Sequence, residues 1–172
     1  AHIPEDRHKR GLILDYTMED NMVLKVYKNK PFSKNGLINR SKITEYANNI
    51  IETFDVRSGE GGKSMARSLS GGNQQKGVIG REIQSSPDLL IAVQPTRGLD
   101  VGSIEYIHKR LVEQRDSGKA VLLVSLELDE VLNVSDRIAV VNNGELIGIV
   151  NASETDENEV GLMMAGIKRG ES

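Results

Sequence analysis

The chain has no cysteine, no tryptophan, two phenylalanines and four prolines in 172 residues. Without cysteine there can be no disulfide and no thiolate-bound metal, and a reducing compartment suits the chain. With aromatics at 3%, the core has to be built from aliphatic side chains. Charge of one sign is lacking too: 22 basic residues against 25 acidic give a formal −3, not the basic excess of a nucleic-acid-binding domain. No apolar run approaches the ~20 residues that a membrane helix requires. The opening "AHIPEDRHKR" has no secretion-signal character. It reads as polar loop without cap or leading strand, as if the sequence starts partway through a longer one. His2, His8 and His108 are scattered, so a zinc site would need carboxylates to complete it. What is present, 38% hydrophobic and 27% charged residues over 172 positions, suffices for one ordinary packed domain, or for one domain plus a small insertion.

The first half reads as helices and loops. "TMED", Thr17 to Asp20, pairs a capping hydroxyl with an acid three residues on, which predicts a short helix through Val23 or Leu24. "KVYKNKPFSKNG" reads as a solvated loop. Ser41 is a candidate cap for a helix in which Ile43, Tyr46, Ala47, Ile50, Ile51 and Phe54 recur at helical spacing. "SGEGGKS", Ser58 to Ser64, ends like a phosphate loop, but Arg57 stands where the first glycine belongs and no apolar strand precedes it. It reads as a flexible loop.

The second half changes character. Apolar runs at Leu89–Val93, Ala120–Ser125 and Arg137–Val141 alternate with helical stretches near Val101–Ser117 and Glu127–Asn133, which predicts parallel strands with crossover helices. Ile104, Ile107, His108, Leu111 and Val112 share one face of the first of these helices. "VVNNGELIGIV" predicts a hairpin around Asn-Gly. "DENEVGLMMAG" suits a short helix ending at Gly166, with Leu162, Met163 and Met164 as packing residues.

The informative run is "SLSGGNQQKGVIGREI". Ser70, Gly71 and Gly72 precede a helix whose Val78, Ile79 and Ile83 face inward. Backbone N–H groups left open at a helix start, together with the helix dipole, favour an anion, and Ser70 adds a hydroxyl. Taken alone, Ser-Gly-Gly reads as nothing more than a helix cap. Its context is more specific. "LSGG" with "QQK", then the apolar strand, then "PTRGLD", resembles the ATP-binding cassette (ABC) ATPase family. Leu69–Gln75 looks like the family signature, Leu89–Gln94 falls at its Walker B strand, and Gly98-Leu99-Asp100 looks like its D-loop. "IPEDRHKRGLILDYTMEDN" resembles the Q-loop entrance to a helical subdomain, with Glu5 at the Q-loop position. "VLLVSLELDEVLNVSDRIAVVNNGELIG" is similar to the switch strand, helix and terminal hairpin that follow. The forms "PEDR", "LSGGNQQK" and "PTRGLDVG" look like the second cassette of tandem-cassette importers for simple sugars or nucleosides.

The resemblance implies an α/β fold, the C-terminal part of a RecA-like P-loop NTPase core with an inserted α-helical subdomain. It divides the chain into residues 1–75, the Q-loop entrance and signature subdomain, and 76–172, a partial core with an open sheet edge and exposed apolar surface. The implied partners are the first cassette of the same polypeptide, permease subunits and, indirectly, an extracellular solute-binding protein, at the cytoplasmic face of the membrane; nucleic acid is not among them. The chain departs from the family pattern at several points. It shows no Walker A loop, Val93 stands at the Walker B aspartate that helps hold magnesium, Gln94 at the catalytic glutamate, and Leu126 at the switch histidine. The resemblance therefore implies a degenerate site of the chain's own. Ser70, Gly71, Gly72, Asn73 and Gln74, with Asp100, would instead serve ATP and Mg2+ held by the partner cassette. The alternatives are a soluble ABC-type ATPase module or a non-catalytic interaction domain.

Overall fold

In a computed structural model that describes residues 1–167, the chain forms two compact units, one of residues 1–122 and one beginning at Leu123.

A three-stranded sheet has strand order β1-β4-β5, from β1 (His2–Ile3), β4 (Leu89–Val93) and β5 (Ala120–Val124), the last beginning in the first unit. β1 and β4 run parallel, with His2 opposite Ile91 and Ile3 opposite Ala92. The expectation of no leading strand is thus corrected. Two residues carry no readable periodicity, and only β4 makes them a strand. Ile3, Leu90 and Ala92 are fully buried.

Three helices pack on one another, and the last of them also packs on β1. α1 (Met18–Val23) starts as its sequence predicts: Thr17 Oγ1 accepts from Asp20 N at 3.2 Å and donates to the Asp20 carboxylate at 2.8 Å. α2 (Arg40–Thr53) is capped by Asn39, which accepts from Lys42 N at 3.2 Å, and not by Ser41. Ser41 lies one residue inside the helix, because the chain leaves the extended conformation at Asn39. α3 (Gly71–Gln84) buries Val78 and Ile79 completely, whereas Ile83 is half-buried. A Cβ on Gly77 would stand 2.5 Å from the Met18 methyl, and one on Gly80 would stand 2.9 Å from Ile50 and Phe54. These glycines let α3 lie closer to α1 and α2 than any side chain would allow. Between α1 and α2 the lysine-rich segment contains a small hairpin, β2 (Ser33–Lys34) with β3 (Leu37–Ile38), where only loop was expected. "SGEGGKS" forms a short 3-10 turn at Gly61–Lys63, closed by Glu60 N donating to Ser64 Oγ at 2.9 Å. α4 (Val101–Asp116) buries Ile107 and Leu111.

The second unit holds α5 (Leu128–Val134), the antiparallel pair β6 (Arg137–Asn142) and β7 (Glu145–Asn151), and α6 (Glu157–Met164). Arg137–Val141 was expected to extend the parallel set; it pairs with β7 instead. The Asn143-Gly144 turn, with φ values of 48° and 83°, returns the chain directly alongside it. Ile138, Val140, Val150, Val160 and Met163 form its core. Leu162 and Met164, expected to pack, are largely exposed.

Candidate functional site

The signature-like segment sits where α3 begins. Ser70 caps the helix, its hydroxyl accepting from Asn73 N at 3.4 Å and from Asn73 Nδ2 at 3.0 Å. The Asn73 carbonyl accepts in turn from Arg57 N at 2.8 Å. Asn73 therefore fixes the Ser70 hydroxyl and the loop before the helix together. The N–H groups of Gly71 and Gly72 lie in the first turn, which has no intrahelical acceptors. Ser70 is exposed, Gly71 and Asn73 are half-buried and Gly72 is buried. The donor set suits an anionic oxygen, and the two glycines are also demanded by close neighbours. A Cβ on Gly71 would meet the Arg7 guanidinium at 2.8 Å, and one on Gly72 would meet Ser103 Oγ at 2.3 Å.

Gln74 turns inward. His8 Nε2 donates to its carbonyl at 2.8 Å, and its amide donates to Ala66 O at 3.0 Å. Gln75, the last residue of the signature-like run, is buried and donates to Pro95 O at 2.7 Å, tying α3 to the turn after β4. The tie joins residues that lie twenty positions apart, so no local pattern announces it.

That turn carries the other group of predicted residues. Val93 and Gln94 are half-buried at the end of β4. Gln94 has φ 48°, a left-handed conformation unusual for a residue with a side chain. Arg97 N donates to Gln94 O at 3.2 Å and closes the turn. Glu5 pairs with the Arg97 guanidinium, and Arg7 Nη1 donates to Arg97 O at 3.3 Å. The "PEDR" segment is thereby held against "PTRGLD" across some ninety residues of sequence. Asp100 caps α4, accepting from Ser103 N at 3.0 Å and from Ser103 Oγ at 2.8 Å. The Ser103 hydroxyl, and then its N–H, hold the Asp100 carboxyl below its ordinary value. Leu126, in the second unit, is 78% exposed, just before α5.

At the end of β4 a magnesium ion would find an isopropyl group and an amide. Among the described residues no three His, Cys, Asp or Glu side chains come together as ligands. These two side chains would give a divalent cation one neutral amide oxygen and no carboxylate.

Beneath the site lies a network with no sequence signal. Glu82, 1% exposed at its side chain, meets Lys25 at 2.5 Å and the buried Arg81 at 3.1 Å, and accepts from His2 N at 3.3 Å. Burial pushes its carboxyl upward, but Lys25 and Arg81 outweigh this and hold it below its ordinary value. Asn21, fully buried, accepts from Ile13 N at 2.8 Å and donates to Ile13 O at 3.0 Å, fixing the loop before α1.

No family model matches the chain. It is 54% identical over its whole length to the guanosine import ATP-binding protein NupO of Bacillus subtilis. It is 56% identical over 96% of its length to the nucleoside import ATP-binding protein NupA of Lactococcus lactis subsp. cremoris. It is 38% identical over 96% of its length to a ribose import ATP-binding protein, RbsA, of Caldanaerobacter subterraneus subsp. tengcongensis. The chain spans about a third of the length of these curated relatives, 34%, 33% and 33% respectively. Among solved structures, an ATP-binding cassette of an ABC transporter, MJ1267, matches with TM-score 0.72 at 22% identity, over 96% of this chain and 67% of that one. The cassette MJ0796, in a dimeric post-hydrolysis state bound to ADP and Pi, matches with TM-score 0.70 at 22% identity, over 88% of this chain and 62% of that one. The fold is that of ATP-binding cassettes, a mixed α/β arrangement with parallel strand pairing.

Proposed function

We propose that the chain is part of the ATP-binding subunit of an ABC importer for a nucleoside or simple sugar, and that it lies in the second of two cassettes. Its own nucleotide site is degenerate, and its signature end completes ATP hydrolysis at the first cassette. One observation carries this reading. The start of α3 keeps an ordered hydroxyl and open N–H groups, while the end of β4 offers no carboxylate. The names of the similar proteins, nucleoside and ribose import ATP-binding proteins, support the importer assignment.

In this reading Ser70, Gly71, Gly72 and Asn73 face the terminal phosphate of ATP held by the partner cassette, where Mg2+ also resides. Gln74 positions the helix start from behind. Asp100 holds the first turn of α4 against Gly72 and so places the contact between cassettes. A developing negative charge at the phosphate is met by fixed N–H donors that need not reorganise. At the chain's own site Gln94 can orient a water but cannot accept its proton at neutral pH, which lowers the rate by about 10²–10⁴-fold for that term alone. Residues 1–75 act as the Q-loop entrance and signature region and residues 76–172 as a partial core; 168–172 lie outside the described residues. The remaining partners are the permease subunits and, through them, a solute-binding protein, at the cytoplasmic face of the membrane.

The test is ATP turnover in the whole importer. Ser70→Ala is expected to lower it by about 10²–10³-fold, the usual loss when one charge-stabilising donor is removed. The chain by itself is expected to show no magnesium-dependent hydrolysis. Hydrolysis by the chain alone, or full turnover in the Ser70→Ala importer, would sink the reading.

A further inference from the structure

The segment between α1 and α2 has no part in the nucleotide chemistry above. From Lys25 to Ile38 it carries four lysines and no acidic residue, in a chain of formal charge −3. Nearby cations are matched: Lys25 with Glu82, Arg40 with Asp20, and Lys42 with Glu45. The other three lysines differ. Among the described residues Lys30 and Lys34 form no ion pair, and Lys28 sits only over the Tyr27 ring, 5.7 Å from its centre.

The root of this segment is fixed while its tip stands out. Phe32 is buried with Val23 and Ile43, and its ring meets Tyr46 edge-on at 4.9 Å. Asn39 N donates to Phe32 O at 2.8 Å and closes the base. Asn35 and Gly36, with φ values of 52° and 78°, turn the chain at the tip. Leu37 follows at 77% exposure, with Ile38 and Tyr27 also exposed. A single exposed leucine is ordinary. An adjacent apolar pair on a firmly rooted hairpin, flanked by three unmatched lysines and a tyrosine, is the composition of a membrane-interface contact.

We propose that the β2–β3 hairpin docks on the surface of an anionic bilayer, with Leu37 and Ile38 entering the headgroup boundary and Lys28, Lys30 and Lys34 facing lipid phosphates. The charge complementarity selects this occupant. The cations are lysines, point charges on flexible stems, with no arginine fork in the segment for bidentate recognition of a protein carboxylate. Two-residue strands also give a protein partner almost no edge to extend. The inference does not depend on the nucleotide reading, since it concerns residues outside that site.

The test uses the chain itself and vesicles of phosphatidylcholine with or without phosphatidylglycerol. The chain is expected to float with the anionic vesicles at low salt and to remain behind with the neutral ones. Each lysine near such a surface contributes about fivefold to partitioning, so Lys30→Glu with Lys34→Glu should reduce binding at least tenfold. Leu37→Ser with Ile38→Ser should weaken it as well, whereas Leu146→Ser, at an exposed leucine on β7, should leave it unchanged. Leu37→Trp places a single tryptophan in a chain that has none, and its emission should shift to the blue on the anionic vesicles. All of these substitutions fall on exposed side chains, and circular dichroism should show each variant folded. Absence of binding to anionic vesicles, binding that survives either hairpin double variant, or no blue shift would overturn the proposal. Capture of the chain by a polyglutamate peptide with no vesicle binding would assign the hairpin to an acidic protein instead.

Discussion

The start of α3 and the end of β4 are joined by one hydrogen bond, from Gln75 to Pro95 O at 2.7 Å, yet they are chemically opposite. At α3, Ser70 and Asn73 orient one another and two glycines admit close neighbours. At β4, the strand ends in an isopropyl group and an amide, and the backbone is in the left-handed region. In the proposed reading, the fold keeps the geometry that places a donor set while the strand end beside it lacks the carboxylate that hydrolysis would need. The strand end still matters, because the turn that follows it receives Gln75 and holds Arg97 and Asp100.

That dependence is broken most strongly from the α4 side. Gly72→Val would put a side chain where Ser103 Oγ stands, 2.3 Å from the first added carbon. Overpacking of this kind costs about 1–3 kcal/mol. Chemical denaturation of the chain should show the loss, and turnover in the whole importer should fall with it. A comparable break is Gln75→Leu, which leaves Pro95 O without its buried partner. About 1–3 kcal/mol of stability should be lost, with α3 and β4 each intact by amide exchange. A result within error of wild type would mean the two regions are independent.

The next change sharpens the contrast instead of breaking it. Gln94→Gly removes the cost of a side chain at φ 48° and should stabilise the chain by up to about 1 kcal/mol. Because no carboxylate is lost, nucleotide turnover in the whole importer should not fall. The smallest expected effect is electrostatic. The Asp100 carboxyl, held by Ser103 below its ordinary value of 3.8, contributes stability above the unfolded value. That contribution disappears as pH falls through the folded value. Asp100→Asn keeps a capping group and should flatten this acid limb in urea titrations below pH 3.8. An unchanged limb would place the titration elsewhere.

The elements most legible in the sequence were those with local causes. The capping box at Thr17, the apolar runs of β4 and β5, and the Asn-Gly turn are decided within a few residues, and each formed where expected. The two-residue strand β1 was not legible, because its conformation is imposed by β4. The cap of α2 slipped from Ser41 to Asn39, since both residue types cap and only the approach of the chain from Phe32 selects between them. At the candidate site, Ser70 and Gly71-Gly72 stood out by type and spacing. The tie from Gln75, the paired His8 and Gln74, and the buried Glu82 network did not, because each joins residues far apart in sequence whose individual types are unremarkable.

By itself, the sequence determined which side chains are available for chemistry. It supplied an ordered hydroxyl and flexible glycines in one motif, and it withheld a carboxylate at Val93 and Gln94. These are properties of atoms present or absent, and no fold can alter them. Only the tertiary structure decided how those groups stand to one another. It turned Gln74 inward, brought Arg7 beneath Gly71 and set Asp100 and Ser103 against Gly72. The physical reason is that these contacts are made between α3, the "PEDR" segment and α4, and their distances come from packing between segments far apart in sequence, which local propensity does not encode.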